Sequence, residues 1–283
     1  MTKTRHALRL ARASWTVVRS DPWLLAVPAL SAISILFVIA ICFVPAVVLT
    51  VSDHSQVFVL AAVLIATYPL TLIGVFFRFA FVIVVSERMD DRHLSIGQGL
   101  AKAWRGRDAI VRWSLIATCA ALLFRALRQI PLLGGVAGSI ASALLGIAWG
   151  AVTFFVVPVI ALEDLRGRRA LDRSAELFRE RWGLEVLGVA SITGIFVLGT
   201  IVGAFVMTIA IAAVHTSTVA VIVLVLVSVL GLITAILAAT AVQQTFGVAL
   251  YRYATGRPLP PSFSATDLQA AVRPKRLRGW LGG

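Results

Sequence analysis

Six long apolar runs, separated by short charged segments, constrain this chain more than any other feature of its sequence. They cover about residues 23–51, 57–85, 109–129, 131–161, 184–214 and 218–251. A helix needs about 20 apolar residues to cross the hydrocarbon of a bilayer, and each run reaches that length. Such a helix satisfies its own backbone hydrogen bonds, so that only side chains meet lipid. We therefore predict an all-α polytopic membrane protein with about six transmembrane helices in three hairpins.

The composition excludes an ordinary soluble domain. Charged residues make up 14% of the 283 residues, whereas a soluble domain carries about 25%. The net charge of +13 could indicate a nucleic-acid partner, but the basic residues lie between the apolar runs. In that position they orient a membrane protein and attract anionic headgroups. We expect membrane phospholipids as partners, especially those with anionic headgroups, and no nucleic acid.

The distribution of Lys and Arg predicts the orientation of the chain. Residues 1–21, 87–112, 163–185 and 252–283 hold 23 of the 26 basic residues. On the opposite side only Arg125 and Arg128 occur, and Arg78 lies inside the second run. Because loops rich in Lys and Arg stay in the cytoplasm, we predict that both termini are cytoplasmic.

The sequence also indicates a threefold internal repeat within a single membrane domain. Each unit has an amphipathic interfacial helix before a hairpin of two spans, over about residues 5–86, 94–162 and 168–252, and a basic tail follows at 253–283. In such helices apolar residues enter the acyl boundary while Arg lies among the phosphates. The predicted interfacial residues are Arg5, Arg9, Arg12, Trp15, Arg19, Trp104 and Trp182. The third helix has mixed charge, so it is expected to pack on protein rather than on anionic lipid.

Four stretches of the sequence together carry a family resemblance: residues 13–22, 158–165, 173–183 and 249–256. They resemble a bacterial family of six-span integral membrane proteins of unknown function. They are also distantly similar to the membrane domain of bacterial glycerophosphodiester phosphodiesterases. The resemblance implies a membrane fold in the bacterial plasma (inner) membrane, and it implies no reaction.

No motif for catalysis or metal binding occurs in the sequence. HExxH, GxSxG, Walker and CxxC patterns are absent, and the four His residues are scattered over loops and termini. An enzyme that acts within the membrane needs ionisable groups inside its spans, but all 13 acidic residues lie at span ends or in loops. We predict that the protein is not an enzyme and binds no cofactor or metal.

Arg78 is the most informative single residue, because it lies within a run, nine residues before Glu87. One interpretation is a buried ion pair with Glu163 or Glu185. The other is a cation that binds an anionic headgroup or solute in a polar cavity.

Further polar residues near the runs have two interpretations each. Gln243 and Gln244 either form an interhelical hydrogen bond or line a pathway with Arg78. Arg125 and Arg128 either clamp a phosphate or extend to the outer headgroups. The candidate lipid or anion contacts are Arg78, Arg125, Arg128, Gln243 and Gln244.

Small residues recur at every fourth position of the fourth run. They are Gly134, Gly138, Ser142, Gly146 and Gly150. Because small residues let helix backbones approach closely in a membrane, we predict tight packing of this run against the fifth or sixth. A homodimer face is the alternative. Pro158 in this run, and Pro45 and Pro69 in the first two runs, are expected to bend their helices.

Two functions of different classes fit these features. The first is a membrane module without a catalytic site, which interacts with lipid or organises membrane-protein partners. The alternative is a transporter or channel for a small or anionic solute, since transporters often contain structural repeats. A polar cavity reaching Arg78 would favour transport.

Overall fold

The computed structural model describes residues 3–53, 57–129, 136–181, 218–261 and 263, and these residues form helices and turns without strands. The helices are α1 Lys3–Ser20, α2 Ala26–Asp53, α3 Val57–Arg88, α4 Ile96–Arg105, α5 Arg107–Gln129, α6 Val136–Thr153, α7 Val156–Glu163, α8 Arg168–Arg181 and α9 Thr218–Ala254, with a 3-10 helix at Pro22–Leu25. The predicted all-α class is confirmed.

Five helical segments of the described chain are long and apolar enough to cross a membrane. They are Pro22–Val51, Val57–Arg88, Arg107–Leu127, Leu145–Glu163 and Val229–Ala254. They correspond to predicted runs one to four and six, and the fifth run lies outside the described residues. The polytopic membrane fold is confirmed to that extent.

The chain forms two compact units. The first contains Met1–Leu25 and Trp182–Gly283, and the second contains Ala26–Arg181. In the first unit, α1 and the 3-10 helix pack on α9. In the second unit, α2 pairs with α3, α5 with α6, and α3 also contacts α4, α5 and α7. Helix α8 packs on α6 and α7, so that both short surface helices of this unit rest on helices of a hairpin.

The fourth apolar run is not one continuous helix. Helix α6 ends at Thr153 and α7 begins at Val156, with a turn at Phe154 and Phe155. Proline has no N–H, and its ring clashes with the carbonyl four residues earlier. For Pro158 that carbonyl belongs to Phe154, so the expected bend is a break in the helix. By contrast, α2 and α3 continue through Pro45 and Pro69.

A serine of α8 satisfies the backbone groups at this break. The Phe155 N–H donates to Ser174 Oγ at 3.1 Å, and Ser174 Oγ donates to the Val152 carbonyl at 2.6 Å. The Ser174 side chain is fully buried. Backbone groups of a membrane span need a partner inside the protein, because lipid offers none. The surface helix α8 therefore completes the hydrogen bonding of the broken span.

Three of the described helices, α3, α7 and α9, are followed by a residue in the left-handed conformation. Asp91 after α3, Asp164 after α7 and Gly256 after α9 have φ of 56°, 52° and 69°. After α3 the Arg92 N–H donates to the Glu87 carbonyl at 3.0 Å and the Asp91 N–H to the Arg88 carbonyl at 3.1 Å. This pair of bonds is a Schellman motif, whose left-handed position favours glycine.

Replacing Asp91 with Gly is therefore expected to stabilise the protein, by about 1 kcal/mol, because an L side chain strains this conformation. Asp91→Val should destabilise it, since a β-branched side chain is the least tolerated there. Thermal unfolding in detergent measures both changes. Asp91→Asn is the control for charge, and a gain equal to that of Asp91→Gly would attribute the effect to the carboxylate instead of the backbone.

Candidate functional site

The short helix α4 has a defined start at the cap that precedes it. Ser95 Oγ accepts a hydrogen bond from the Gln98 N–H at 3.2 Å, and the Ser95 N–H donates to Gln98 Oε1 at 3.1 Å. This reciprocal pair is a capping box, which satisfies two N–H groups that a helix start leaves open. The first residue of α4 is Ile96, two residues after the predicted start of the second repeat unit at about 94.

Two glycines let α4 pack closely on α3. A Cβ placed on Gly99 would overlap Val84 Cγ2, and one placed on Gly106 would lie 3.0 Å from Phe79 Cζ. Ala103, between them, is fully buried. As α4 proceeds from Gly99 to Gly106, its contacts move from Val84 back to Phe79, so α4 runs obliquely along α3. The exposed residues of α4 are therefore placed beside a defined stretch of the span.

An acidic residue at the end of α3 neutralises part of the nearby positive charge. Glu87 Oε1 lies 3.0 Å from Lys102 Nζ, and Glu87 Oε2 lies 3.3 Å from Arg92 Nε. These ion pairs are partly exposed, and such pairs contribute at most about 1 kcal/mol. Their main effect is that Lys102 and Arg92 already have an anionic partner.

The end of α4 presents an aromatic ring between cations, which we call the α4–α5 junction: Trp104, Arg105 and Arg107. Trp104 is 62% exposed, and its ring meets the ring of Phe76 edge-on at 6.5 Å between centroids. The guanidinium carbon of Arg107 lies 5.7 Å from the Trp104 ring centroid, within the range of a cation–π contact. Arg105 is exposed and forms no ion pair with another described residue.

Helix α8 has more acidic partners for its arginines than the α4–α5 junction, where Arg107 lies 4.0 Å from Asp108. Arg173 lies 3.3 Å from Glu163 and 2.8 Å from Glu176. The hydrogen bond with Glu176, more than any other contact, raises the pKa of the Arg173 guanidinium above its ordinary value, so it stays a cation. These pairs, together with the packing of α8 on α6 and α7, fit the expectation that this helix rests on protein.

Arg78 is exposed and has no hydrogen bond or ion pair with any residue of the described ranges. Glu163, one of the two predicted partners, pairs with Arg173 instead. Glu185, the other, lies outside the described residues. Among described groups, the guanidinium of Arg78 therefore has no anion.

The other candidate contacts lie on different helices. Arg125 in α5 is exposed, and the side chain of Arg128 is outside the described part. In the other unit, Gln243 of α9 is exposed, while Gln244 Oε1 is buried and accepts no hydrogen bond from a described residue. A pathway that combines these glutamines with Arg78 stays a prediction.

The predicted packing face of the fourth run also stays a prediction. A Cβ on Gly146 or Gly150 would meet no atom within 4 Å. Gly134 lies outside the described residues, and so do the surroundings of Gly138 and the side chain of Ser142. The described contacts of α6 are with α5, α7 and α8.

The interfacial residues predicted for α1 are partly described. Arg12 and Arg19 are exposed and Trp15 is 42% exposed, whereas Ser14, Val17 and Val18 are buried. The side chains of Arg5 and Arg9, and the whole of Trp182, lie outside the described residues.

Sequence reasoning missed two residues that organise the structure. Ser174 was not singled out, because its partners Val152 and Phe155 belong to a different helix. Arg252 was counted with the basic residues of 252–283 that predict the orientation, but it is 1% exposed and its Nε donates to the Pro258 carbonyl at 2.8 Å. Its position between Tyr251 and Tyr253, in an apolar helix end, was the available signal.

The comparisons with known proteins give a family and no reaction. The model of a family of unknown function, DUF6159, matches residues 55–258. No curated protein and no solved structure matches the chain. The similarity to the membrane domain of glycerophosphodiester phosphodiesterases therefore stays a prediction. Within the described ranges, no group of three or more His, Cys, Asp or Glu side chains could hold a metal ion.

Proposed function

We propose a role for this chain from its own geometry, because it belongs to DUF6159, a family whose function is unknown. It is a membrane module without a catalytic site, which binds anionic phospholipid headgroups at its cytoplasmic side. The observation that supports this role most directly is the α4–α5 junction, where an exposed Trp104 lies beside Arg105 and Arg107. Tryptophan is enriched at the membrane–water interface, and Arg binds phosphate with a planar set of donors.

The location of the module follows from its charge distribution. Lys and Arg gather in the segments that join hairpins, which corresponds to the cytoplasmic side of a bacterial plasma (inner) membrane. The left-handed residues at the ends of α3, α7 and α9 support the threefold repeat, since each marks the end of one hairpin. Within the second unit, a repeat of this kind would present α4 and α8 to the same leaflet. Membrane-protein partners or a second copy of the chain could be held there.

A transporter for a small or anionic solute is the second candidate, and the break between α6 and α7 favours it. Transporters often use discontinuous spans, whose free helix ends bind the substrate. Here, however, the Ser174 hydroxyl is hydrogen-bonded to the Phe155 N–H and to the Val152 carbonyl. Those groups are thus not open to a solute, and lipid binding is the better supported role.

Neutralising the α4–α5 junction is expected to weaken the preference for anionic lipid. We expect Arg105→Gln/Arg107→Gln to reduce the preference for phosphatidylglycerol over phosphatidylcholine by about 30-fold, because each of the two basic residues near the surface contributes about 1 kcal/mol. Native mass spectrometry of protein titrated with either lipid measures this ratio.

Arg166→Gln/Arg168→Gln is the matched control, because it removes the same charge from arginines that lie beside Asp164 and Asp172. The control should change the ratio much less. An unchanged ratio in the junction variant would contradict the proposed role. Chloride or phosphate flux into vesicles that contain the wild-type protein would support the transporter instead.

A further inference from the structure

The surroundings of α3 change abruptly at Arg78. Over residues 57–78 only Ala62 and Ala66 are buried, whereas all eight side chains of residues 79–86 are buried. A helix that faces lipid on one side cannot bury consecutive residues, because they point in all directions around its axis. The second stretch is therefore surrounded by protein, and the described helices in contact with α3 are α2, α4, α5 and α7.

The length of α3 agrees with a membrane boundary at this position. Residues 57–78 extend about 33 Å at 1.5 Å per residue, close to the roughly 30 Å of hydrocarbon in a bilayer. All of α3, with 32 residues, extends about 48 Å. Fitting it entirely in hydrocarbon would need a tilt of about 50°, beyond the range of up to about 40° seen for membrane helices.

The aromatic contacts of α4 mark the same level of α3. Trp104 meets Phe76, and Gly106 lies against Phe79, so the exposed tryptophan is beside the residues that flank Arg78. A tryptophan with one apolar and one polar side settles at the headgroup level of a membrane.

The guanidinium of Arg78 has space and no described partner. Gly74 lies one turn before Arg78 on the hydrocarbon side, and the long aliphatic stem of the exposed Arg78 lets its guanidinium extend from there to the headgroups. A Cβ on Gly74 would meet no atom within 4 Å, so this surface is open. A guanidinium at the edge of hydrocarbon needs an anion, and a phosphate offers oxygens for two parallel hydrogen bonds.

We infer that the hydrocarbon ends at Arg78 on α3 and that Arg78 binds the phosphate of a phospholipid there. The last turns of α3 then belong to a layer of protein outside the hydrocarbon, together with α4. This site specifies where the proposed function binds its ligand. The inference rests on the proposed function, because both assume that this end of the helices meets phospholipid headgroups.

A spin label at Gly74 tests the boundary without altering Arg78. Gly74→Cys is labelled in a background with Cys42→Ala and Cys119→Ala, in vesicles of phosphatidylglycerol and phosphatidylcholine. Oxygen and nickel accessibility should place it about 6 Å inside the hydrocarbon, four residues from Arg78. If hydrocarbon reaches Glu87, the label lies about 20 Å from that boundary and about 10 Å from the opposite side of a layer of roughly 30 Å, so a depth of about 10 Å or more would overturn the inference. A label at His93→Cys should report water.

Lipid binding tests the ligand. Arg78→Gln should bind one phosphatidylglycerol about fivefold more weakly than the wild type does. Arg78→Lys should keep part of the wild-type affinity, because the cation remains. Native mass spectrometry counts the bound lipids. If inorganic phosphate raises the unfolding midpoint of the wild type as strongly as phosphatidylglycerol does, the ligand is a free anion and the assignment to a headgroup is wrong.

The two lipid experiments separate this site from the proposed function. If Arg78→Gln binds lipid normally while Arg105→Gln/Arg107→Gln does not, the site at Arg78 is wrong and the proposed function remains. If only Arg78→Gln loses lipid, the site is supported and the role of the α4–α5 junction is wrong. If Arg78→Gln does not fold, the depth of the label at Gly74 still decides where the boundary lies.

Discussion

Gly99→Val is expected to destabilise the protein by about 2–3 kcal/mol, because added atoms in a closely packed contact force a shift of the backbone or of its neighbours. A Cβ at Gly99 overlaps Val84 Cγ2, and the next contact, the Ala80 carbonyl oxygen at 3.6 Å, is backbone. For a chain of this size that change lowers the unfolding temperature by about 5–10 °C. Thermal unfolding in detergent, followed by tryptophan fluorescence, measures it.

Gly97→Val is the matched control, because Gly97 lies on the same helix and a Cβ there meets no atom within 4 Å. The same substitution should change the stability by less than about 0.5 kcal/mol. A second test uses the contact itself: Gly99→Ala should be less damaging in a Val84→Ala background than alone, since the overlapping methyl is gone. Equal losses at both glycines would show that close packing of α4 on α3 is not the cause.

Ser174→Ala is expected to destabilise the protein by about 2–4 kcal/mol, because two buried backbone groups lose their partner at once. The Phe155 N–H and the Val152 carbonyl both bond to the Ser174 hydroxyl, and Phe155 is itself buried. Inside a membrane span neither group can turn to water instead. The unfolding temperature and the hydrogen exchange of the Phe155 amide measure the loss, and exchange at that amide should become faster.

Ser34→Ala provides the comparison, since Ser34 is only partly buried and its hydroxyl donates to the Leu30 carbonyl of its own helix. That change should cost less than about 0.5 kcal/mol. If Ser174→Ala were as mild as Ser34→Ala, or left exchange at Phe155 unchanged, α8 would not be needed to close the break in the span.

The sequence contains local signals at two helix starts. The capping box at Ser95, which was not among the predictions, marks the start of α4, and Asp21 and Pro22 precede the first span, where the 3-10 helix Pro22–Leu25 begins. These signals work because a helix start satisfies its open N–H groups with side chains only three residues away. Pattern and capping therefore act within one turn, at a distance that sequence reading can resolve.

The candidate site was only partly predictable. Arg78 and Trp104 were identified as candidates, because an arginine in an apolar run and a tryptophan ending a surface helix are unusual in the sequence. Their proximity in the fold was not predicted, since Trp104 contacts α3 at Phe76, 28 positions earlier in the chain. The depth of Arg78 was also judged from the whole apolar run, although part of that run is covered by protein.

The burial of Arg252 also could not be predicted from the sequence. Its charge grouped it with the basic residues of 252–283, but in the folded chain its Nε donates a hydrogen bond to the Pro258 carbonyl. A buried cation is tolerated when such hydrogen bonds replace water, and that condition depends on the fold.

The sequence by itself determined that the chain is an all-α membrane protein and where its spans lie, because hydrocarbon thickness and backbone hydrogen bonding act on each apolar run separately. Only the tertiary structure decided how α4 fits against α3 through Gly99 and Gly106, and how Ser174 closes the broken span. Those contacts join residues from different helices, and their stability depends on atomic fit, which composition and periodicity do not record.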